Sequence, residues 1–450
     1  MPRAAGARTS RYGLGVLRTT AAVVAGKAAR AASRLRGGGS ALPGLVAERV
    51  DPGFLAHALR DVRGGIVVVS GTNGKTTTTK MLVAVLRAHG RTVFTNPTGS
   101  NFTRGVISSM LGELPLGGRL DADLAVLELD EAHALKFAAT VRPTHALLLN
   151  VARDQLDRFA EIDHTAQLLA SLAEQTTTGV VLNLDDSFIA RIRDRVADGV
   201  GVTWFGVDAS IADRLPELQE QDVRSGDEFV PPTPGPDDGL LKPADERTFS
   251  ILFGPNGTEL VGPLELRQRG LAAMINATAA ATAARALLGS EFDPDTAAEA
   301  LRAVTPPFGR GEVVMVDGQP LELVLVKNPA GFTVALGTYA TPVATMVAIN
   351  DNYADGRDVS WLYDVSFESL RGSGVALTSG VRGYDMALRL QYDDVPVAAV
   401  EPDLDRALDT FLAQHPTEPK RIFCTYTAMM ALRRTLAARY DLPDIGEEAS

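Results

Sequence analysis

The sequence predicts an α/β protein in two units: a large one on a mostly parallel sheet with helices on both faces, then a smaller α/β unit. Three observations predict it. Short runs rich in Val, Ile and Leu alternate with segments of helical period. Several runs end in polar turns (IVVVSG, LAVLELDE, HALLLNVA, GVVLNLDD), as strands do when function gathers at the carboxyl edge of a parallel sheet. A Pro/Gly-rich stretch, VTPPFGRGE at 304–312, separates these from a second series of runs.

The elements follow in order. Residues 1–53 are a basic extension: nine Arg and Lys against one acid, Glu48, within residues 1–50. That surplus of eight leaves −19 on the other 400 residues, since the whole chain carries −11. An acidic body excludes nucleic acid as the main partner. The composition of the arm also suits an organellar transit sequence, but it has no apolar h-region. Its longest apolar stretch, AAVVAGKAA, is broken by Lys27 and too short to span a bilayer. It reads as a helix packed on the body, the alternative being a basic helix on an anionic membrane face.

Residues 54–305 form the large domain. Strand 66–70 leads into helix 75–89, strand 93–96 and a polar turn at 97–101. Strands LAVLEL, HALLLNV and GVVLN follow. The Pro-, Gly- and acid-rich stretch 207–247 reads as an exposed insertion or flexible loop. Helix 271–289 ends on a glycine. Residues 306–450 form the second unit, with strand-like VVMV, LELVLV, ATMVAIN, GVALTSG and RIFCTY and a tail, IGEEAS, that reads as disordered. The single cysteine, Cys424, excludes an internal disulfide and a four-cysteine zinc site, fits a reducing cytosol, and reads as a buried apolar side chain.

Residues 70–79, SGTNGKTTTT, carry the first chemistry. A strand, a glycine turn, a lysine and hydroxyls opening a helix hold nucleotide phosphates on backbone N–H groups at the helix N-terminus. Gly71, Thr72, Asn73, Gly74, Lys75, Thr76 and Thr77 are the candidate cradle. Lys75 would reach the β/γ-phosphates and Thr76 would ligate Mg²⁺. The glycine expected five residues before the Gly-Lys pair is Val69.

GTNGKTT resembles the Mur ligases, ATP-dependent enzymes that join an amine to a carboxylate. The resemblance implies a P-loop ATPase central domain, with Glu128, at the end of LAVLE, as the Mg²⁺-binding glutamate. It makes Asn276 an adenine contact and Arg310 the hinge arginine that contacts ATP. NVARDQLDRF (150–159) resembles a segment in which the family has a metal-binding histidine, here Gln155. No lysine lies between Lys136 and Lys242 to be carbamylated, and an asparagine expected near Asn276 is Ala273. The roughly seventy residues ahead of the loop show no α/β pattern for the nucleotide-sugar domain that other Mur ligases carry.

The C-terminal strings KNPAGF, NDNYADGRDVSWLYD, TSGVRGYDMALRLQY and CTYTAMM, with RGGGSALPGLVAERVDP near the start, resemble the MurT branch of that family. This implies the synthetase subunit of lipid II isoglutaminyl synthase, a heterodimer with a GatD-like glutamine amidotransferase. ATP and Mg²⁺ would activate the D-glutamate carboxylate of lipid II as an acyl phosphate, and the partner would supply ammonia. Asp358, with Asp355 as the fallback, would complete the partner's Cys–His triad. The loop at 207–247 stands where many MurT proteins carry a zinc ribbon, and without cysteines no zinc is expected. The location implied is cytoplasmic, with peripheral contact at the inner membrane face as a further possibility. The alternatives are a folylpolyglutamate synthetase-like ligase and a non-catalytic ATP-binding partner.

Overall fold

Ile66–Ser70 (β1) is buried along its whole length, so it must lie in a sheet covered on both faces. A computed structural model of the chain describes residues 6–35, 41–96, 102–152, 162–208, 229–244, 248–254, 259–306, 310–338, 343–440 and 442. The polar turn 97–101, Gln155 and the tail IGEEAS lie outside the described residues.

Around β1 stand β2 (Val93–Thr95), β3 (Leu124–Glu128), β4 (His145–Leu148), β5 (Gly179–Asn183) and β6 (Gly201–Val207), with β7 (Gly239–Pro243), β8 (Thr248–Phe253) and β9 (Glu259–Glu265) beyond. The order is β2-β3-β1-β4-β5-β6-β7-β8-β9, parallel as far as β7 and antiparallel for the last two pairs. The helices are α1 (Gly6–Leu35), α2 (Ala41–Val50), α3 (Phe54–Ala58), α4 (Lys75–Ala88), α5 (Thr103–Glu113), α6 (Glu131–Thr140), α7 (Ile162–Gln175), α8 (Ser187–Ala190), α9 (Leu271–Leu288) and α10 (Pro294–Ala303).

The period of two along β1 divides the core. Ile66 and Val68 face a layer that includes Phe54, Val106, Phe137 and Leu169, whereas Val67 and Val69 face one with Met81, Leu82 and the alanines of α9. Helix α9 is long and apolar enough for a membrane span, yet 61% of that window is buried inside the fold. Its alanines let it lie close against α4.

The second sheet comprises β10 (Arg310–Val316), β11 (Gln319–Leu325), β12 (Ala344–Ala348), β13 (Leu377–Ser379), β14 (Val400–Glu401) and β15 (Lys420–Cys424), ordered β10-β11-β15-β12-β13-β14. Only the β10–β11 pair is antiparallel among those described. Its turn places Asp317 at φ 49° and Gly318 at φ 80°, the left-handed pair that an Asp-Gly hairpin turn requires. Helices α11 (Pro329–Thr338) and α12 (Gly383–Tyr392) follow β11 and β13.

One expectation is corrected. The stretch 207–247 is not wholly a loop: Gly239–Pro243 is a strand of the large sheet, paired with β6 and β8. Leu241 is fully buried, and the Asp238 carboxylate accepts the Trp204 N–H at 2.6 Å. Five residues beside a Pro/Gly/Asp run are too few to show a period. Residues 209–228 and 245–247 lie outside the description.

At the end of β5, Asp185 is buried beside Asp186. Burial pushes its carboxyl up to about 7, against the opposing Val207 N–H donation at 2.8 Å. A raised carboxyl pKa favours the native state fully below the unfolded value near 4, and that contribution is lost as pH rises towards 7. Asp185→Asn keeps an acceptor for Val207 and removes the charge. The stability of the variant relative to wild type is therefore expected to rise by on the order of 4 kcal/mol between pH 4 and 8 in denaturant titrations. A difference that stays constant with pH would refute this.

Candidate active site

The loop from β1 to α4 turns at Gly71 (φ 134°) and Gly74 (φ 85°), backbone that L side chains rarely adopt. A Cβ on Gly74 would lie 2.4 Å from Asn276 Oδ1, so α9 itself demands glycine there. The loop is pinned from β4: the Asn73 N–H donates to Asn150 Oδ1 (2.8 Å), and Asn150 Nδ2 donates to the Asn73 carbonyl (3.0 Å). The Thr72 N–H donates to the Asn150 carbonyl at 3.0 Å.

Lys75 is nearly buried. Its Nζ donates to the Gly71 carbonyl at 2.7 Å and lies 3.3 Å from Asp130 Oδ1 and 3.6 Å from Glu131 Oε1. The ammonium thus arches across the glycine loop. Thr76 Oγ1 donates to Glu128 Oε1 at 2.8 Å, joining the start of α4 to the end of β3. Asn96 holds Glu128 by both backbone groups, donating to its carbonyl and accepting its N–H, each at 2.9 Å.

The residues fit a nucleotide. The loop is a cradle that a Cβ would fill, and Thr77 Oγ1 is buried with no partner among the described residues. They also fit Mg²⁺ in part: Thr76 and Glu128 offer two hard oxygens side by side. Among the described residues no group of three His, Cys, Asp or Glu could hold a metal, and phosphate oxygens and water would add ligands to this pair.

A cleft opens beside the loop, lined by Asn73, Gly74, Asn150 and Asn276 from the large unit and by Lys327 and Gly331 from the second. Asn276 lines this cleft, and Ala273 is on the same wall. Arg310 begins β10, paired through its backbone with Val324. The two units touch at the loop itself: Asn328 Nδ2 donates to Asn73 Oδ1 at 3.2 Å. Asn328 is fully buried, and its own Oδ1 accepts the Gly331 N–H at 2.7 Å. Arg269 of the large unit lies 3.9 Å from Glu322 of the second, a second bridge, and Arg421 holds Glu322 at 2.9 Å from within its own sheet. Sequence reasoning placed Asn73 in the phosphate cradle but gave no individual role to Asn96, Asn150 and Asn328, although Asn150 and Asn328 lie within the quoted strings HALLLNV and KNPAGF.

Asp358 is not in this cleft, whose lining ends at Thr338. It lies after β12, half-buried, and accepts the Ser360 N–H at 2.8 Å. That N–H and the Ser360 hydroxyl hold its carboxyl below the usual carboxylate range. Asp355 differs: it is 4% exposed, accepts the Thr427 N–H (2.7 Å) and hydroxyl, and accepts the Asn352 N–H at 3.1 Å. It clamps the loop that presents Asp358. Exposed aromatics flank it in the chain: Tyr353 is 81% exposed, and Tyr363 packs edge to face with Tyr392, 6.0 Å apart. Cys424 lies in the middle of the second sheet, fully buried, and burial pushes its thiol far up.

The Mur ligase middle domain matches residues 69–284, and the MurT ligase C-terminal domain matches 325–429. The lipid II isoglutaminyl synthase (glutamine-hydrolyzing) subunit MurT of Streptococcus pneumoniae is 30% identical, over 94% of this chain and 98% of that protein. Two solved structures share the fold. A pseudomurein peptide ligase type C from Methanothermus fervidus gives a TM-score of 0.63 at 19% identity, over 84% of this chain and 79% of that one. E. coli FolC in complex with DHPP and ADP gives 0.59 at 16%, over 86% and 93%. With a full-length relative at this identity, and domain matches on both units, the chain belongs to the MurT family and is an ATP-dependent ligase of the Mur type.

Proposed function

We propose that the chain amidates the D-glutamate α-carboxylate of lipid II through an acyl phosphate, with ammonia supplied by a GatD-like glutaminase partner. The observation that carries it is the β1–α4 loop, where Lys75 arches over a glycine cradle beside the Thr76–Glu128 pair. A carboxylate repels nucleophiles and has no good leaving group. Its oxygen takes the γ-phosphoryl group as the bond to the β-phosphate oxygen breaks and ADP departs. Ammonia then attacks the carbonyl carbon, phosphate leaves, and a proton is shed to give the amide. Lys75 balances charge on the transferring group, and the loop N–H groups hold the phosphates in line. Mg²⁺, held by Thr76 and Glu128, would supply charge neutralisation at the phosphate oxygens. Asn276 and Arg310 would hold the nucleotide. The second unit, tied to the loop through Asn328, keeps water from the intermediate.

Three features support a separate ammonia source. The chain's single thiol is walled off in a sheet, the S. pneumoniae relative is named as one subunit of a glutamine-hydrolyzing synthase, and Asp358 is only half-buried on its loop. Asp358 orients the partner's histidine. ATP use and a free thiol fit the cytoplasm. The folylpolyglutamate synthetase alternative shares the fold, but the match at 325–429 favours the amidating branch.

The test is an assay of lipid II with ATP and either glutamine or ammonium chloride, with and without the partner. Ammonium is expected to support amidation by the chain alone, and glutamine only with the partner. Hydroxylamine should trap the activated carboxyl as a hydroxamate. Ammonia released from glutamine by the isolated chain would sink the division of labour.

A further inference from the structure

The wall of the cleft between the two units carries a charge opposite to that of the whole chain. The chain's net charge is −11, yet among the described residues the lining includes Lys327, Arg269 and several amides, and no aspartate or glutamate. A cleft of one sign selects anions. Its two cations differ in position. Arg269 is half-exposed and lies 3.9 Å from Glu322, in the bridge between the units. Lys327 comes from the second unit, is half-buried, and shares the wall with Asn73 and Gly74 of the phosphate cradle. The next residue fixes its place. Asn328 is fully buried, its Nδ2 donating to Asn73 Oδ1 at 3.2 Å and its Oδ1 accepting the Gly331 N–H at 2.7 Å. Consecutive Cα atoms are about 3.8 Å apart, so the bond that latches Asn328 to the cradle also brings Lys327 to its rim.

We propose that Lys327 is a second catalytic cation, which the second unit lays on the γ-phosphoryl group of ATP. The proposal deepens the phosphoryl-transfer reading above and rests on it. As the bond from the γ-phosphorus to the β-phosphate oxygen breaks, a carboxylate oxygen forms the new bond and ADP leaves with the electron pair. No proton moves. The charge on the equatorial oxygens is met by Lys75 from the large unit and by Lys327 from the second. Transfer therefore needs both units in contact, and the acyl phosphate forms only where water is kept out. The substrate carboxylate is the other anion within the cleft. The γ-phosphoryl group is favoured because the Asn328 latch is on the phosphate loop itself.

The full chain is titrated by calorimetry with ADP and with β,γ-imido-ATP, each with Mg²⁺. Lys327→Met is expected to bind ADP as wild type does and the γ-phosphate analogue about tenfold more weakly. Lys327→Arg, which keeps the charge, should recover part of that loss. With ammonium chloride as the nitrogen source, amidation of lipid II by Lys327→Met should fall about a hundredfold. Equal loss for both nucleotides would mean a structural role, and no loss for either would give the lysine to the carboxylate; each result overturns the proposal. Wild type that binds neither nucleotide would overturn the phosphoryl-transfer reading with it. A selective loss of the analogue, with no amide product from wild type, would fault the choice of substrate and leave this role for Lys327 supported.

Discussion

Lys75→Ala is expected to lower ATP-dependent amidation by about a hundred- to a thousandfold, the usual cost of removing one charged or hydrogen-bonding group aimed at a transition state. The residue is held in place for such a role. Its ammonium reaches the Gly71 carbonyl, and Asp130 and Glu131 fix it from the far side. Phosphoryl transfer spreads charge over the equatorial oxygens, where a cation counts more than it does against the ground state. The loss should fall mostly on kcat, with ADP binding weakened far less, since the loop N–H groups and Asn276 remain. Arginine would not restore the rate, because its planar fork does not fit the space of a point charge inside a tight glycine loop. Amidation within about tenfold of wild type would place the charge-balancing role elsewhere.

Asp358→Asn, assayed in the complex, is expected to slow glutamine hydrolysis by about ten-thousandfold while ammonium-dependent amidation and ADP binding persist. An asparagine in the orienting position favours the wrong histidine tautomer, so geometry survives and proton transfer does not. The side chain suits the role. Ser360 holds the carboxyl below the usual range, so it is ionised at neutral pH, and it is only half-buried on a loop. Asp355 does not suit it, being spent on Thr427 and Asn352. Asp355→Asn should instead loosen the 350–359 loop and lower both activities together. Unchanged glutamine hydrolysis in Asp358→Asn would remove the residue from the partner's triad.

The legible parts of the fold were those where short-range chemistry dictates the answer. IVVVSGTNGKTTTT names its own strand, turn and helix, since a run without polar residues needs two covered faces and glycine is needed at φ 85°. Glu128 was legible as an acid ending a buried strand. What escaped depends on contacts far apart in the chain. Asn328 meets Asn73 across 255 residues, and an asparagine in KNPAGF carries no local sign of that bond. Strand β7 was hidden because its order comes from β6 and β8, not from its own five residues. The contrast between Asp355 and Asp358 was open in sequence, because only the fold decides which carboxylate meets Thr427.

Cys424 leaves the protein's surface free for labelling chemistry. Its sulfur is sealed inside a central strand and its proton is held tightly there, so maleimides and other soft electrophiles should find nothing on the native surface to react with. A cysteine engineered anywhere on the exterior would then carry a fluorophore or spin label at a single known address, and domain movement or assembly could be followed without first deleting a natural thiol.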